Sequence, residues 1–408
     1  MKILLVTYWG LTNMGGIWTY MNQLASRLEQ QGYEVDLMGT DIENDALYIL
    51  NKNKSFNKKE VREILREKTI SNILTSYQTS HEQILSLEVE RNTFELGATY
   101  LGIDQYDLIH AQDPISSYAI SRILDKKIPL IASFHGSFAR EMFFEYQSIT
   151  PTLTWKEFKK TDLCMYYQSM EYLGAHVADR LIVSSYWIKK TIMELGIPTE
   201  KFRIVPYGIN LNTYDTKSKV EFAVLPPLGK KVIMYTGRLE YIKGVQLLIE
   251  ALGKLKKNRQ DWVCWIVGEG SMRKELQSRC IQLDIQQDVV LWGEQENIPS
   301  ILCKADIYVQ PSLQDTQPFS VTEAQLAGIP CIVSNTTGMP EMIQHELTGW
   351  LTPPDNPELL CERIAFVLKH DHIRVMVGKH AKIWATEHRS LEVMFEATLR
   401  AYLELMHV

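Results

Sequence analysis

Asp315 and Glu323, eight positions apart, are the pair of residues whose types and spacing first suggest chemistry. They lie in the stretch 305–343, ADIYVQPSLQDTQPFSVTEAQLAGIPCIVSNTTGMPEMI. Residues 307–310 form a short apolar run ended by Pro311 and Ser312, which reads as a buried strand. A polar loop over 313–317 carries Asp315. Pro318 sits where a helix begins, a position at which its missing N–H costs nothing. Residues 319–327 read as that helix, Gly328 closes it, and 329–333 is a second buried strand. From Pro318 to Glu323 the helix rises about 7–8 Å, roughly the length of a diphosphate. The unpaired N–H groups near Phe319, Ser320 and Val321 suit an anion. Such a loop lies at the carboxyl end of a strand, where open α/β sheets bind ligands. A solvated loop acid and a helix-face acid would show the same spacing, so spacing alone does not decide.

Three further groups have the same character. Arg238 and Lys243, five apart, fall in a turn between a strand over 232–236 and a helix opened by Gly244. There an arginine fork and a lysine point charge could grip a diphosphate, or could be two exposed loop cations. His135 and Gly136 stand at the end of the apolar run 129–134; a lone histidine after a strand is more often structural than catalytic. Gly15 and Gly16 precede a helix over 17–30 and follow a strand over 3–8. A glycine pair at a helix start lets backbone approach a phosphate, but a plain strand–helix connection fits as well. The pair belongs neither to G-x-G-x-x-G nor to a phosphate-binding Gly-Lys-Ser/Thr loop.

The elements that must position these groups alternate strand and helix throughout. The chain has 408 residues, 45% hydrophobic, which is enough for two or three domains. Residues 213–229 are polar and proline-containing and mark a boundary. Two α/β domains are expected, 1–207 and 208–390, the first completed by a C-terminal helix over 391–408. The net charge of −6 argues against a nucleic-acid binder or a general membrane-surface binder. The six cysteines include no C-x-x-C pair and read as reduced core thiols of a cytoplasmic protein. No apolar run reaches the ~20 residues of a membrane span, and MKILLVTYWG is too strand-like for a signal peptide. Residues 51–100 are charged and helical in pattern. Within them 52–68 carries seven Lys/Arg against three Glu and reads as a solvated helix face. The aromatic segment 137–158 could line a pocket or simply pack.

The ordered series of motifs resembles the retaining glycosyltransferases of family 4 (group 1), with a fainter likeness to bacterial spore-coat glycosyltransferases. Ser312, Asp315, Pro318, Glu323, Ala324, Ala327, Gly328 and Pro330 follow the family's acid-x7-Glu segment, with Asp315 in place of the usual Glu. Arg238, Lys243 and Gly244 follow its G-R-L-x-x-x-K-G. FRIVPYGIN resembles its V-P-N-G-I/V-D hinge, with Tyr207 for Asn and Asn210 for Asp. The resemblance implies the GT-B fold, two doubly wound Rossmann-like domains facing across a cleft. It implies transfer of a sugar, with retention, from a nucleotide-diphospho-sugar, UDP-sugar first among them. The acceptor would be a saccharide, a lipid-linked sugar or a protein, in cell-surface or coat polysaccharide synthesis. Peripheral membrane contact through 52–68 is implied by the resemblance alone.

The resemblance also assigns roles. Arg238 and Lys243 stabilise the leaving diphosphate, Asp315 and His135 orient the sugar, and Glu323 holds the ribose. The helix start at Phe319, Ser320 and Val321 and the pair Gly15–Gly16 assist. Gly338, Glu341 and Glu294 lie near the donor. No metal or other cofactor is expected, and the chain has no Asp-x-Asp motif. A non-catalytic scaffold and a sugar-nucleotide epimerase are the rivals on the same fold. An NAD-dependent oxidoreductase would need the missing G-x-G-x-x-G.

Overall fold

The computed structural model describes residues 1–11, 15–50, 52–76, 82–125 and 127–406. The chain divides into two compact units, Met1–Val205 with the C-terminal segment from Phe395, and Pro206–Met394.

The first unit is built on an eight-stranded sheet. Its strands are β1 (Lys2–Gly10), β2 (Glu34–Thr40), β3 (Ala46–Ile49), β4 (Ser55–Asn57), β5 (Leu108–Ala111), β6 (Leu130–Phe134), β7 (Arg180–Val183) and β8 (Phe202–Ile204), in the order β4-β3-β2-β1-β5-β6-β7-β8. Strands β2, β1, β5, β6, β7 and β8 run parallel, and β3 and β4 add an antiparallel edge. Residues 51–100 were expected to be helical throughout. Helices Lys59–Ser76 and Glu82–Leu101 fit that pattern, residues 77–81 lie outside the described residues, and β4 departs from it. SFN is too short to show a period of two, and its Phe56 packs against the core beneath it.

The second unit holds six parallel strands: β9 (Lys231–Thr236), β10 (Trp262–Val267), β11 (Val289–Gly293), β12 (Ile307–Gln310), β13 (Cys331–Ser334) and β14 (Gly349–Thr352), ordered β11-β10-β9-β12-β13-β14. These strands read as near-continuous apolar runs because helices cover both faces of a parallel sheet. Ile233, Tyr235, Ile266 and Val309 pack on one side with helices Val245–Lys256 and Pro357–Lys369. Val232, Met234, Trp265 and Tyr308 pack on the other with helix Phe319–Leu326. The strand order reverses between β9 and β12, and a crevice at such a reversal is where a doubly wound sheet binds its ligand.

The stretch 213–229 is not wholly irregular. Helix Leu211–Ser218 runs into it, and the Asn210 side chain caps that helix by accepting from the Thr213 N–H at 3.0 Å. Asn and Asp cap helices equally well, so Asn210 accounts for one of the two departures in the hinge motif. Helix Leu391–Met406 starts in the second unit, and from Phe395 it packs into the first. There Tyr402 meets the buried His110 at 2.7 Å, and Glu404 takes Arg203. All six cysteines are free; Cys303 is exposed rather than in a core. Among the described residues no helix is long and apolar enough to cross a membrane.

Candidate active site

In the second unit the turn after β9 carries Arg238. Its backbone is braced from β10: Leu239 N–H donates to the Glu269 carbonyl at 2.8 Å and Gly237 N–H to that of Val267 at 2.9 Å. The fit is close, because a Cβ on Gly268 would lie 2.0 Å from the Gly237 oxygen. The Arg238 guanidinium is exposed and makes no ion pair among the described residues. Its cation is therefore available on a fixed backbone.

Lys243 ends the short turn Tyr241–Lys243. Gly244 follows with φ of 69°, and a Cβ there would meet the Pro311 oxygen at 2.0 Å, so only glycine serves. This close approach, with Leu313 N–H on the Ile242 carbonyl at 2.9 Å, seats the lysine turn on the loop after β12. Lys243 Nζ donates to Asp315 Oδ2 at 2.6 Å, and the two side chains are only 19% and 12% exposed. The structure thus joins two residues to which the family resemblance gives separate partners.

The loop 335–338 closes on the Asp315 loop from β13. Thr337 Oγ1 donates to the Asp315 carbonyl at 2.5 Å, and Gly338 N–H donates to it at 3.1 Å. A Cβ on Gly338 would sit 2.1 Å from the Thr316 oxygen. Glu341 follows in the turn Met339–Met342, part-buried. Helix Phe319–Leu326 then begins at Pro318, and no side chain caps its first N–H groups. Phe319 stacks on Tyr207 with ring centroids 5.3 Å apart, and Tyr207 N–H donates to Gln317 Oε1 at 2.8 Å. Tyr207, the other departure in the hinge motif, thus packs over the start of this helix.

Glu323 lies in the second turn of the same helix. Its carboxyl is part-buried and has no hydrogen bond or ion pair among the described residues. Burial pushes its pKa up to about 7, with Lys217 acting in the opposite sense. The backbone is held by Tyr214, whose hydroxyl donates to the Glu323 carbonyl at 2.6 Å. Glu294 is exposed just after Gly293, which bridges to Gly268 beside the Arg238 turn.

His135 and the glycine pair belong to the first unit. His135 Nε2 is 3.2 Å from Gln112 Oε1 and its ring meets that of Tyr20 edge-on at 5.1 Å. Burial lowers its pKa to about 4, so the imidazole is neutral at pH 7. Gly15 has φ of 93° and is the N-cap of helix Gly16–Gln30, which Gly16 starts. A Cβ on Gly15 would touch nothing within 4 Å, so glycine serves conformation there rather than space. The preceding residues 12–14 lie outside the described residues.

Sequence reasoning missed Glu171. This buried acid lies near the Ser137 hydroxyl and the N–H groups of Phe138 and Ala139, just past His135, and burial raises it to about 7. It also missed Gln310 and Tyr308 beneath the Asp315 loop. The polar residue ending the apolar run IYVQ was the available signal.

The aromatic segment packs: Phe143, Phe158 and Trp155 form one cluster with Tyr167. The basic stretch 52–68 is largely paired. Lys58 meets Glu90 at 2.9 Å, Lys59 meets Asp45 at 2.5 Å, Arg62 meets both acids, Lys52 meets Asp36 and Arg66 meets Glu82. Among the described residues no group of three His, Cys, Asp or Glu side chains is arranged to hold a metal ion.

Known glycosyltransferases resemble this chain over most of its length. Residues 14–213 fit the model of Glycosyltransferase Family 4, and residues 217–384 fit that of Glycosyl transferases group 1. An uncharacterized glycosyltransferase of Methanocaldococcus jannaschii is 26% identical over 98% of both chains. The UDP-Gal:alpha-D-GlcNAc-diphosphoundecaprenol alpha-1,3-galactosyltransferase of Escherichia coli is 30% identical over 47% of this chain and 52% of its own. Among solved structures, Anabaena HepE in complex with UDP-glucose superimposes with a TM-score of 0.68 over the whole of both chains, at 17% identity. The two matched regions, the doubly wound sheets and the loops at the β9/β12 reversal lead to one conclusion: the chain belongs to the group 1 glycosyltransferases of the GT-B fold.

Proposed function

We propose that this glycosyltransferase moves a hexose from a UDP-sugar to a saccharide or lipid-linked acceptor, with retention at the anomeric carbon and without a metal ion. It would serve cell-surface polysaccharide synthesis in the cytoplasm. The observation that carries the reading is the convergence, at the β9/β12 reversal, of Arg238, the Lys243–Asp315 pair and an uncapped helix start, with Glu323 one turn further in. UDP is favoured by the galactosyltransferase relative and by the UDP-glucose complex of a protein with the same fold.

In this reading the diphosphate lies against the N–H groups at the start of helix Phe319–Leu326, flanked by Arg238 and Lys243. Lys243 shares its ammonium between Asp315 and a phosphate oxygen. As the bond from the anomeric carbon to the diphosphate oxygen breaks, the electron pair stays on that oxygen, and the two cations stabilise the charge. Such preorganised stabilisation is usually the largest catalytic contribution. The acceptor oxygen bonds to the same face of the anomeric carbon, and the leaving phosphate takes its proton. Glu323, unpaired here, would accept from the ribose hydroxyls, and neutral His135 would orient the sugar.

The test is incubation of the chain, in EDTA, with UDP-, GDP-, ADP- and dTDP-hexoses, following nucleotide release and the anomeric signal of the product by NMR. An α-product from an α-linked UDP-hexose is expected. An inverted product, or turnover seen only after a divalent cation is restored, would overturn the corresponding part. Binding without turnover on any acceptor would favour the scaffold reading.

A further inference from the structure

Beneath the donor-side loops lies one buried amide that reaches all of them. Gln310 ends β12 and is 1% exposed. Its Oε1 accepts from the Tyr308 hydroxyl at 2.7 Å and from the Ser320 hydroxyl at 3.3 Å, and its Nε2 donates to the Ser312 hydroxyl at 2.9 Å. Ser312 Oγ in turn lies 3.5 Å from Asp315 Oδ2, the same oxygen that takes the Lys243 ammonium at 2.6 Å. The Tyr308 hydroxyl also sits 3.1 Å from the Thr236 carbonyl, at the end of β9. The neighbouring Tyr235 hydroxyl donates to the Arg238 carbonyl at 2.8 Å. The end of β9 that leads into the Arg238 turn, the Lys243–Asp315 pair and the first turn of helix Phe319–Leu326 are each reached from Gln310 through one intervening side chain or a short chain of them.

The chemistry explains why an amide stands there. Two hydroxyls need an acceptor and one needs a donor, and an uncharged amide supplies both in a dry interior. A carboxylate would lose the donor and bury a charge, and an apolar side chain would leave the hydroxyls unpaired. Direction matters as well. With Ser312 accepting from Nε2, its own proton is free to point at Asp315, which keeps Oδ2 turned to the lysine.

We propose that Gln310 is a positioning residue for sugar transfer. Through Ser312 it sets the Asp315 carboxylate on Lys243, and through Ser320 it holds the helix start that faces the diphosphate. The inference rests on the donor site proposed above. A residue that only fills the core would affect stability alone. A positioning residue affects the rate of the bound complex, because small misplacements of charge-stabilising groups are costly in rate.

The experiment compares wild type, Gln310→Met and Ser312→Ala for UDP affinity by calorimetry, for kcat and KM with the UDP-sugar, and for melting temperature. Gln310→Met is expected to lower kcat by about 10–100-fold while KM and UDP affinity change by less than about threefold. In a Lys243→Ala background Ser312→Ala is expected to cost under about threefold, since Ser312 acts through the Lys243–Asp315 pair and residues in one network are not additive. Should Gln310→Met fail to fold, Ser312→Ala carries the test alone, with kcat reduced and KM unchanged. Unchanged kcat in folded Gln310→Met and Ser312→Ala overturns the inference, as does a full kcat loss from Ser312→Ala persisting beside Lys243→Ala. A wild type that neither binds UDP nor turns over any donor removes the donor-site reading and this inference with it.

Discussion

The carboxyl end of the second sheet and the first half of the chain handle their charged residues in opposite ways. Around β9 and β12, backbone approaches that only glycine permits, at Gly244, Gly268 and Gly338, press the loops after β9, β10, β12 and β13 together, and Arg238 and Glu323 remain without ionic partners among the described residues. In the first unit the conspicuous charges satisfy one another. Lys58, Arg62, Glu90 and Asp45 form one network, Arg91 lies between Glu88 and Glu95, and buried Asp113 caps helix Pro114–Ser121. Charges that pair internally stabilise a fold, whereas charges held rigidly without a partner are prepared for a ligand. The difference supports the proposed donor site in the second unit on physical grounds, independently of any motif.

The comparison breaks most visibly at the cations. Replacing Arg238 with Ala should lower turnover by roughly 10²–10³ and leave the melting temperature unchanged, since the guanidinium contacts nothing that folding requires. Lys243→Ala should lose a similar factor in turnover and also lower stability by about 1–3 kcal/mol, because Asp315 is left mostly buried without its partner. Thermal melts beside steady-state rates separate the two. Equal stability in both variants would mean that the Lys243–Asp315 pair does not hold the loop.

Glu323 sharpens the comparison through pH. With a pKa near 7, its carboxyl is largely protonated at pH 6 and ionised at pH 8. The carboxylate is the better acceptor for ribose hydroxyls, so UDP affinity should rise as pH rises through about 7. In Glu323→Gln that rise should disappear, and affinity at pH 8 should fall by about 1.5–3 kcal/mol. Folding runs the other way. A carboxyl that holds its proton when folded and has lost it when unfolded makes the chain less stable as pH climbs from the ordinary carboxyl range to about 7, and Glu323→Gln should flatten that slope. Calorimetry and chemical denaturation at pH 6 and 8 check both signs.

The smallest effect is expected in the basic stretch. Arg62→Gln should cost about 1 kcal/mol or less of stability and leave both turnover and sedimentation with anionic vesicles unchanged, because the cations of 52–68 are mostly neutralised by the first unit's own acids. A clear loss of vesicle binding would restore the membrane-contact reading.

How far the sequence could be read follows the same division. The strands of the second sheet are plain in Val232 to Thr236 and Ile307 to Gln310, because burial on both faces leaves an unbroken apolar run. Its loops are plain because glycine and proline at Gly244, Pro318 and Gly338 mark backbone that must turn or approach closely. The pairing of Lys243 with Asp315 was not readable, since 72 positions separate them and only the β9–β12 adjacency brings them together. Glu171 and Gln310 were hidden for another reason. A buried polar side chain and an exposed one leave the same letter in the sequence, and only the packed structure shows what each lies against. Strand β4 escaped because three residues cannot display a period.

A structure of the full chain with UDP bound in EDTA tests the central claim most directly. The account predicts the diphosphate at the start of helix Phe319–Leu326, with Arg238 and the Lys243 ammonium within hydrogen-bond distance of its oxygens and the ribose hydroxyls on Glu323. UDP bound elsewhere, or bound there with Lys243 still held by Asp315 alone and Glu323 still unpaired, would contradict it.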